Sequence, residues 1–264
     1  MPFALLDRWA SPVPDPRKVA WIGAQDYAHR GLHGSGVPEN SRAAFAKAIA
    51  QGHGIELDVQ RSSDGQAVVF HDDALDRLTA EAGPVVRRSA AQLGAIALGG
   101  TAETIPTLRQ VLAQIAGKVP VLIEVKSDRQ ARIAALCLSV RRVLEGYTGQ
   151  HAVMSFDPRV ARWYWRNSPH TVRGLIVSEG EDRALPGKLR RRLSLWHARP
   201  DFLAYDVRDL PSSFAAAQRR RGLPVATWTV REAEHDERAE AYADAAIFET
   251  GEAQKESAGS ESQA

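Results

Sequence analysis

Acidic and basic side chains alternate with apolar ones in two short stretches of this sequence. Glu56 and Asp58 stand in Ile-Glu-Leu-Asp-Val, and Glu124 and Lys126 stand in Ile-Glu-Val-Lys. Side chains of a strand alternate between its faces, so the two polar residues of each stretch share one face. Three carboxylates on inner strand faces are too costly to bury without partners. The pattern therefore predicts either a bound cation or ion pairs with Arg30 and Lys126.

The donor chemistry narrows the choice of cation. Glu56, Asp58 and Glu124 offer hard carboxylate oxygens, and no thiolate accompanies them. Such a set favours Mg²⁺ or Ca²⁺, with Mn²⁺ as a further candidate, over zinc. At this point a metal-free cluster of ion pairs stays open as the alternative.

Two histidines end predicted strands close to these acids. His29 is followed by Arg30 and Gly31, and His71 ends the run at 67–71. An imidazole titrates near neutral pH, so one histidine can accept a proton while the other donates one. A single histidine in such a place is more often structural. Two of them beside three acids and two cations favour acid–base cleavage of a phosphodiester.

Eight β-rich runs alternate with helical segments, which is typical of a parallel sheet built from βα units. Predicted helices at 41–51 and 107–115 each begin at a capping residue and are followed by Gly52 and Gly117. The pattern predicts an α/β fold that a (β/α)₈ barrel would satisfy. The runs lie at 26–29, 55–59, 121–126, 152–156, 172–177, 202–207, 225–230 and 245–249.

A ninth run, 67–71, does not belong to this count. Only residues 62–66 separate it from the preceding run, and they include the turn pair Asp64-Gly65. A parallel neighbour needs a crossover of about a dozen residues, so this connection predicts an antiparallel hairpin. The returning arm would carry His71 to the barrel end at which catalytic groups gather.

The sequence resembles the glycerophosphodiester phosphodiesterases, within the superfamily of phospholipase C-like phosphodiesterases. The motifs that carry the likeness are His29-Arg30-Gly31, Pro38-Glu39-Asn40-Ser41, Ile55-Glu56-Leu57-Asp58-Val59, Asp64-Gly65, Val68-Val69-Phe70-His71-Asp72, Ile105-Pro106-Thr107-Leu108, Ile123-Glu124-Val125-Lys126, Ser155-Phe156 and Trp228-Thr229-Val230. Two places depart from the usual pattern: Arg231 replaces an asparagine, and the last strand ends in Glu249-Thr250-Gly251. Both bear on the preferred substrate rather than on the reaction.

The resemblance implies a distorted (β/α)₈ TIM barrel with a hairpin excursion after its second strand. It implies metal ligands at Glu56, Asp58 and Glu124, with His29 and His71 as acid and base. Phosphate contacts are implied for Arg30 and Lys126, and head-group or rim contacts for Trp228 and Asn40. Asn40 could instead position His29 or serve as a turn residue.

The implied reaction is metal-dependent hydrolysis of a small-molecule glycerophosphodiester to glycerol 3-phosphate and an alcohol. The alternative is lysophospholipase D-like or sphingomyelinase D-like cleavage of lipid phosphodiesters, with a cyclic phosphate as a candidate intermediate. A Schiff base at Lys126 is disfavoured because nearby acids keep the amine protonated. A phosphate-binding protein without turnover is disfavoured by the presence of both histidines.

Composition narrows the binding partners and the compartment that the sequence predicts. The chain has 264 residues, a formal charge of +2 and one cysteine, Cys137. So small a charge does not favour nucleic acid, and one cysteine excludes an internal disulfide. Residues 1–18 lack the apolar core of a secretory signal, and no run of about 18 apolar residues predicts a membrane span. We therefore expect a cytoplasmic protein, and peripheral lipid contact stays open.

The predicted organisation is a proline-rich extended segment at 1–24, one barrel domain at 25–251 and a disordered tail at 252–264. A short amphipathic turn is expected at 3–9. The arginine runs 190–192 and 219–221 are expected on solvated helix faces, and the aromatic run 163–165 is expected to pack against the barrel wall.

Overall fold

A computed structural model describes residues 2–127, 133–180 and 184–250. Its strands alternate with helices along most of the chain. The strands are β1 (Tyr27–Ala28), β2 (Gly54–Arg61), β3 (Ala67–Val69), β4 (Val121–Val125), β5 (His151–Ser155), β6 (Val172–Val177), β7 (Phe202–Asp206), β8 (Val225–Val230) and β9 (Ala245–Phe248). The α-helices are α1 (Pro2–Ala10), α2 (Pro16–Val19), α3 (Arg42–Gln51), α4 (Ala90–Leu93), α5 (Leu108–Ile115), α6 (Ile133–Leu144), α7 (Pro158–Asn167), α8 (Leu185–Ala198), α9 (Ser213–Arg221) and α10 (Ala233–Tyr242).

Eight of these strands are parallel and form the predicted (β/α)₈ barrel. By their internal contacts the described residues fall into two units. The first unit holds 27–150 and 248–250, and the second holds 2–26 and 151–247. The expectation of one barrel domain at 25–251 stays a prediction, and the tail at 252–264 lies outside the described residues.

Capping residues fix the helix that follows β1 in the first unit. The Ser41 hydroxyl accepts the backbone N–H of Ala44 at 3.1 Å, and Gly52 ends α3 in the left-handed region at φ 75°. Helix α5 begins in the same way, with a reciprocal pair of hydrogen bonds between Thr107 and Gln110. Each cap satisfies backbone groups that a helix end leaves unpaired. Both helices therefore begin where the sequence predicted.

The strand β3 confirms the predicted hairpin. It runs antiparallel to β2, with Val59 opposite Val69 and Arg61 opposite Ala67. The segment that follows has a small core of its own. We call residues 67–106 the excursion; its core contains Val68, Phe70, Leu75, Val85, Leu93, Ile96, Leu98 and Ile105.

The beginning of the chain differs from the extended segment that its prolines predicted. Residues 2–10 form α1, and Asp7 on this helix is buried. Its carboxylate accepts hydrogen bonds from Arg192 Nη1 at 2.6 Å and Trp196 Nε1 at 2.8 Å. The expected amphipathic turn at 3–9 is a helix of more than two turns, and the extended conformation was wrong for these residues. Contacts to residues almost 200 positions away stabilise the helix, and local composition does not reveal them.

Some arginines that were expected on solvated faces are in fact packed. Arg191 is only 9% exposed and pairs with Glu179 at 3.0 Å. Arg221 donates to the backbone carbonyls of Asp7 and Ser11 at 2.8 and 2.6 Å. A guanidinium can be buried when its donors find fixed acceptors, as the terminal nitrogens of these two arginines do.

Two further features belong to the helices α6 and α7. Cys137 is a buried free thiol within α6. In α7 the Tyr164 ring is fully buried, and Trp165 lies against Arg162 and Arg199 at 4.3 and 4.7 Å. No helix in the described part of the chain is both long enough and apolar enough to cross a membrane.

Candidate active site

Three carboxylates converge in the first unit, where β2 pairs with β4. The register places Asp58 directly opposite Glu124 in neighbouring parallel strands. Glu56 lies two residues before Asp58 and shares its face. One carboxylate oxygen from each of the three residues lies within 4.8 Å of the other two. The alternation that the sequence showed therefore does bring the three acids together.

Glu56 is the least satisfied member of this cluster. Its side chain is 1% exposed, and Oε2 accepts the backbone N–H of Arg30 at 3.1 Å. Its other oxygen, Oε1, is buried and has no hydrogen-bond partner among the described residues. Burial, together with the charges of Asp58 and Glu124, raises the pKa of Glu56 well above its ordinary value. Without a bound cation, the site therefore favours a protonated Glu56 over three ionised carboxylates.

Two cations and an amide hold Asp58. Arg30 Nε lies 3.3 Å from Oδ2, and Lys126 Nζ lies 3.6 Å from Oδ1. Although burial alone would raise it, these two charges hold the pKa of Asp58 below its usual range. Glu124 receives a hydrogen bond from Lys126 Nζ at 2.9 Å, yet burial and the charge of Asp58 still raise its pKa.

The donor set fits a divalent cation. All three groups are carboxylates, and their oxygens lie close enough together to bind one ion. In addition, the buried Glu56 Oε1 has no hydrogen-bond partner among the described residues. Ion pairs with Arg30 and Lys126 are present as well, but they leave Glu56 Oε1 unsatisfied. Glu56, Asp58 and Glu124 could therefore hold a metal ion, and hard oxygen ligands suit Mg²⁺ and Ca²⁺.

Asn40 clamps Asp58 from the loop before α3. Its Nδ2 donates to Asp58 Oδ2 at 2.9 Å, and its Oδ1 accepts the backbone N–H of Asp58 at 3.2 Å. The residue adopts φ 56°, a left-handed conformation that asparagine tolerates better than most residues. Asn40 therefore orients the Asp58 carboxylate, and its expected contact with a head group or rim stays a prediction.

Replacing Asn40 with alanine should loosen this carboxylate. We expect metal affinity to fall about 10- to 100-fold, as is typical when a partner of a ligand is removed. Calorimetric titration of the chelated protein with Mg²⁺ and Ca²⁺ measures the change. Asn167→Ala is a matched control, since the one bond that its amide makes among the described residues is to the Trp163 carbonyl at a helix end. Equal affinities for the two variants would contradict the clamp.

His29 follows β1 and is anchored through both backbone and ring. Its N–H donates to the Phe248 carbonyl at 2.9 Å, and Nδ1 lies 2.6 Å from Glu249 Oε1. The other ring nitrogen, Nε2, lies 3.9 Å from Glu56 Oε2 and so faces the acid cluster. Burial lowers the pKa of His29 to about 4, with a further contribution from the charge of Arg30.

The turn after His29 depends on a glycine. Gly31 has φ 79°, and a Cβ at this position would lie 2.8 Å from the Cβ of Ala44. A larger residue would not fit here, so glycine is what allows α3 to pack closely against the turn. The Arg30 N–H in this turn donates to Glu56. The His-Arg-Gly motif thereby supplies both an imidazole and a backbone donor.

His71 is held at the start of the excursion. The Gln60 amide donates to the carbonyls of Phe70 and His71, each at 3.1 Å, and also to the carbonyl of Asp72. The His71 ring contacts Asp72 Oδ1 through Nδ1 at 2.6 Å. Both imidazoles interact with the charge of Asp58. The predicted histidines thus share the same structural unit and the same acidic neighbour.

Comparison with known proteins decides the family. The model of the glycerophosphoryl diester phosphodiesterase family matches residues 29–249. The chain belongs to this family. The glycerophosphodiester phosphodiesterase of Caldanaerobacter subterraneus subsp. tengcongensis is 29% identical over 221 residues, which cover 80% of this chain and 87% of that protein.

Solved structures agree on the fold. An Oleispira antarctica phosphodiesterase in complex with the product sn-glycerol-3-phosphate has a TM-score of 0.75 and 24% identity, covering 90% of this chain and 97% of the other. A putative glycerophosphoryl diester phosphodiesterase from Silicibacter pomeroyi has a TM-score of 0.72 and 25% identity, covering 88% and 92%.

Several polar partners in this glycerophosphoryl diester phosphodiesterase family member have no counterpart among the predicted site residues. The Arg77 guanidinium donates hydrogen bonds of 2.6 and 3.1 Å to the Asp72 carboxylate and of 2.7 and 3.2 Å to the Glu39 carboxylate. Glu39 also accepts from Arg30 Nη1 at 2.8 Å. Glu39 and Asp72 stood inside the quoted motifs, so the motifs themselves were the available signal. Nothing local marks Arg77, which lies outside them.

Two further residues relate differently to the predictions. Glu249 was singled out as a departure from the family pattern, and the structure places it on His29. Trp228 lies in the second unit, where its ring packs edge to face on Phe156 at 5.4 Å and its Nε1 donates to the Ala204 carbonyl at 3.0 Å. Its role at a head group or rim stays a prediction.

Proposed function

We propose that this chain hydrolyses glycerophosphodiesters to glycerol 3-phosphate and an alcohol. The observation that carries the proposal is the convergence in one unit of three acids, two buried and one partly buried, with two imidazoles, each fixed through Nδ1 by its own carboxylate. The family and the names of its members point to the same activity. The relative bound to sn-glycerol-3-phosphate supports this choice of product.

Glu56, Asp58 and Glu124 would hold one divalent cation, Mg²⁺ or Ca²⁺, with Mn²⁺ also suited to the oxygen donors. When bound, such an ion neutralises negative charge on the phosphate and on the departing oxygen. This chemistry also relieves the mutual repulsion of the three acids. Lys126 and Arg30 add positive charge, and they keep Asp58 ionised in the absence of substrate.

His29 and His71 would move the protons. One imidazole takes the proton of the nucleophile, either water or a hydroxyl of the substrate, and the other gives a proton to the leaving alkoxide. In both residues Nδ1 is occupied by a carboxylate, so Nε2 is the nitrogen that can serve the substrate. The acids Glu249 and Asp72 therefore fix which ring nitrogen acts, as well as the orientation of each ring.

The test is a hydrolysis assay of the full chain after treatment with a chelator. We expect glycerophosphocholine and glycerophosphoethanolamine to release glycerol 3-phosphate only after Mg²⁺, Ca²⁺ or Mn²⁺ is restored. Lysophosphatidylcholine as a parallel substrate examines the lipid alternative, and phosphorus NMR at short times detects a cyclic phosphate. Absence of glycerol 3-phosphate with every one of these ions would refute the proposal.

Arg77 should matter to turnover although it lies outside the predicted site. Arg77→Ala removes the clamp on Asp72 and thereby frees the His71 ring to rotate. We expect kcat to fall about tenfold or more, in the range by which mispositioning of a catalytic group reduces rates, while KM changes little.

The matched control for Arg77→Ala is Arg88→Ala. Arg88 lies in the same excursion and pairs with Glu81 at 3.0 Å, but it has no contact with Asp72 in the described structure. Steady-state kinetics of the two variants should differ in kcat. If Arg88→Ala lost as much activity as Arg77→Ala, general loosening of the excursion would explain the effect instead.

A further inference from the structure

Helix α8 in the second unit presents leucines to solvent and an arginine to the interior. Leu185, Leu189 and Leu193 are spaced by four residues, so they share one face of the helix. They are 78%, 48% and 52% exposed. Packing within the unit does not account for this row, because the buried positions of the helix are Gly187, Arg191, Leu195 and Ala198. We call Leu185, Leu189 and Leu193 the leucine surface.

A second helix adds apolar area beside α8. Asp7 ties α1 to α8 through its hydrogen bonds with Arg192 and Trp196. On α1, Trp9 is 81% exposed and Leu6 is 46% exposed. Exposed apolar residues that are scattered singly need no explanation, but several on two adjoining helices mark an interaction surface.

Positive charge accompanies the leucines. Lys188 and Arg190 are exposed on the same helix. Next to them is a cavity of about 790 Å³, whose lining includes Leu185, Lys188 and Leu189. Leucines flanked by lysine and arginine are the composition of helices that lie in the interface of an anionic membrane.

We propose that the leucine surface docks on an anionic phospholipid bilayer. The leucines would enter the boundary between headgroups and acyl chains, while Lys188 and Arg190 contact the phosphates. Charge complementarity favours this occupant over a second copy of the chain. A twofold contact would bring the same basic helix of each copy together, and like charges in such a contact oppose association.

Co-sedimentation of the full chain with vesicles tests the proposal. We expect binding to one-to-one phosphatidylcholine and phosphatidylglycerol vesicles, and weak binding to phosphatidylcholine alone. The triple variant Leu185→Ser, Leu189→Ser, Leu193→Ser should lower the partition coefficient about a hundredfold, given the cost of removing apolar area from the interface. Val86→Ser is the control, since Val86 is 57% exposed but lies in the other unit.

A charge variant examines the second part of the proposal. Replacing Lys188 and Arg190 with glutamine should weaken binding to the mixed vesicles about twentyfold, at the contribution typical of a basic residue near an anionic surface. Lys118→Gln with Arg142→Gln removes equal charge from exposed positions in the first unit and should leave binding unchanged.

Three outcomes would overturn the proposal. The first is failure of the wild-type chain to bind the mixed vesicles at low salt. The second is a triple leucine variant that binds as the wild type does, with its fold verified by circular dichroism. The third is a wild-type dimer in sedimentation equilibrium that the triple variant abolishes, because the leucine surface would then belong to a contact between copies.

Discussion

Glu56→Gln should reduce turnover of glycerophosphocholine by at least about 10³-fold. A bound cation contributes several kcal/mol to transition-state stabilisation, and each 1.4 kcal/mol corresponds to a factor of ten. The amide keeps the size of the side chain but withdraws a negative ligand from the cluster with Asp58 and Glu124. Kinetics at saturating Mg²⁺ or Ca²⁺ measure the loss of turnover. Calorimetric titration with the same ions measures the loss of metal affinity that we also expect.

The same substitution should stabilise the metal-free protein. The pKa of Glu56 is raised by burial and by the charges of Asp58 and Glu124. A raised folded-state pKa means that the stability contribution is complete below the ordinary carboxyl pKa and is lost as pH rises through the folded value. At neutral pH the chelated wild type therefore bears a penalty that glutamine removes. We expect Tm to rise by about 2–4 °C, the shift that about 1 kcal/mol gives in a protein of this size.

Thermal unfolding in EDTA and in excess cation separates the two effects. The order of stabilities should reverse when the cation is added, because wild type binds it more tightly. Glu145→Gln is the control, since this carboxylate is exposed just after the end of α6 in the same unit and pairs only with Arg141 among the described contacts. A Glu56→Gln protein that is active, or that melts below wild type in EDTA, would argue against a cation at these acids.

Alanine at either His29 or His71 should cost about 10²- to 10⁴-fold in kcat on glycerophosphocholine, the usual contribution of a positioned acid or base. The two variants should respond differently to a better leaving group. With bis(p-nitrophenyl) phosphate the alcohol departs without a proton, so the variant that lacks the general acid should recover most of its activity. The variant that lacks the general base should not.

His53→Ala controls for the loss of an imidazole, because the His53 ring packs edge to face on Phe248 at 5.0 Å and makes no side-chain hydrogen bond or ion pair among the described residues. It should retain activity on both substrates. If both catalytic variants recovered on the activated diester, neither histidine would be the base, and the assignment of a histidine pair would fail.

The parts of the site that strand geometry controls could be predicted from the sequence. Alternation along β2 and β4 placed Glu56, Asp58 and Glu124 on inner faces, because the backbone itself directs successive side chains to opposite sides. The turn pair Asp64-Gly65 predicted the direction of β3, since so short a connector cannot make a parallel crossover. Both inferences need only local backbone rules.

The parts that depend on pairing between distant segments could not be predicted. Arg77 reaches Glu39 across 38 positions, and His29 reaches Glu249 across 220. No periodicity encodes such a match. Helix α8 is a stronger case, because its leucines point outward while Arg191 is buried against Glu179. Hydropathy alone would have predicted that the leucine face is buried and that Arg191 is exposed.

The separate core of the excursion has a consequence for how the enzyme inactivates. His29 directly follows strand β1 of the barrel, whereas His71 belongs to the excursion, which has its own small core. Regions with their own small cores open as cooperative units at lower free energy than the whole molecule. Warming should therefore open the excursion before the barrel unfolds, and activity should fall once Arg77 no longer holds Asp72 beside the His71 ring.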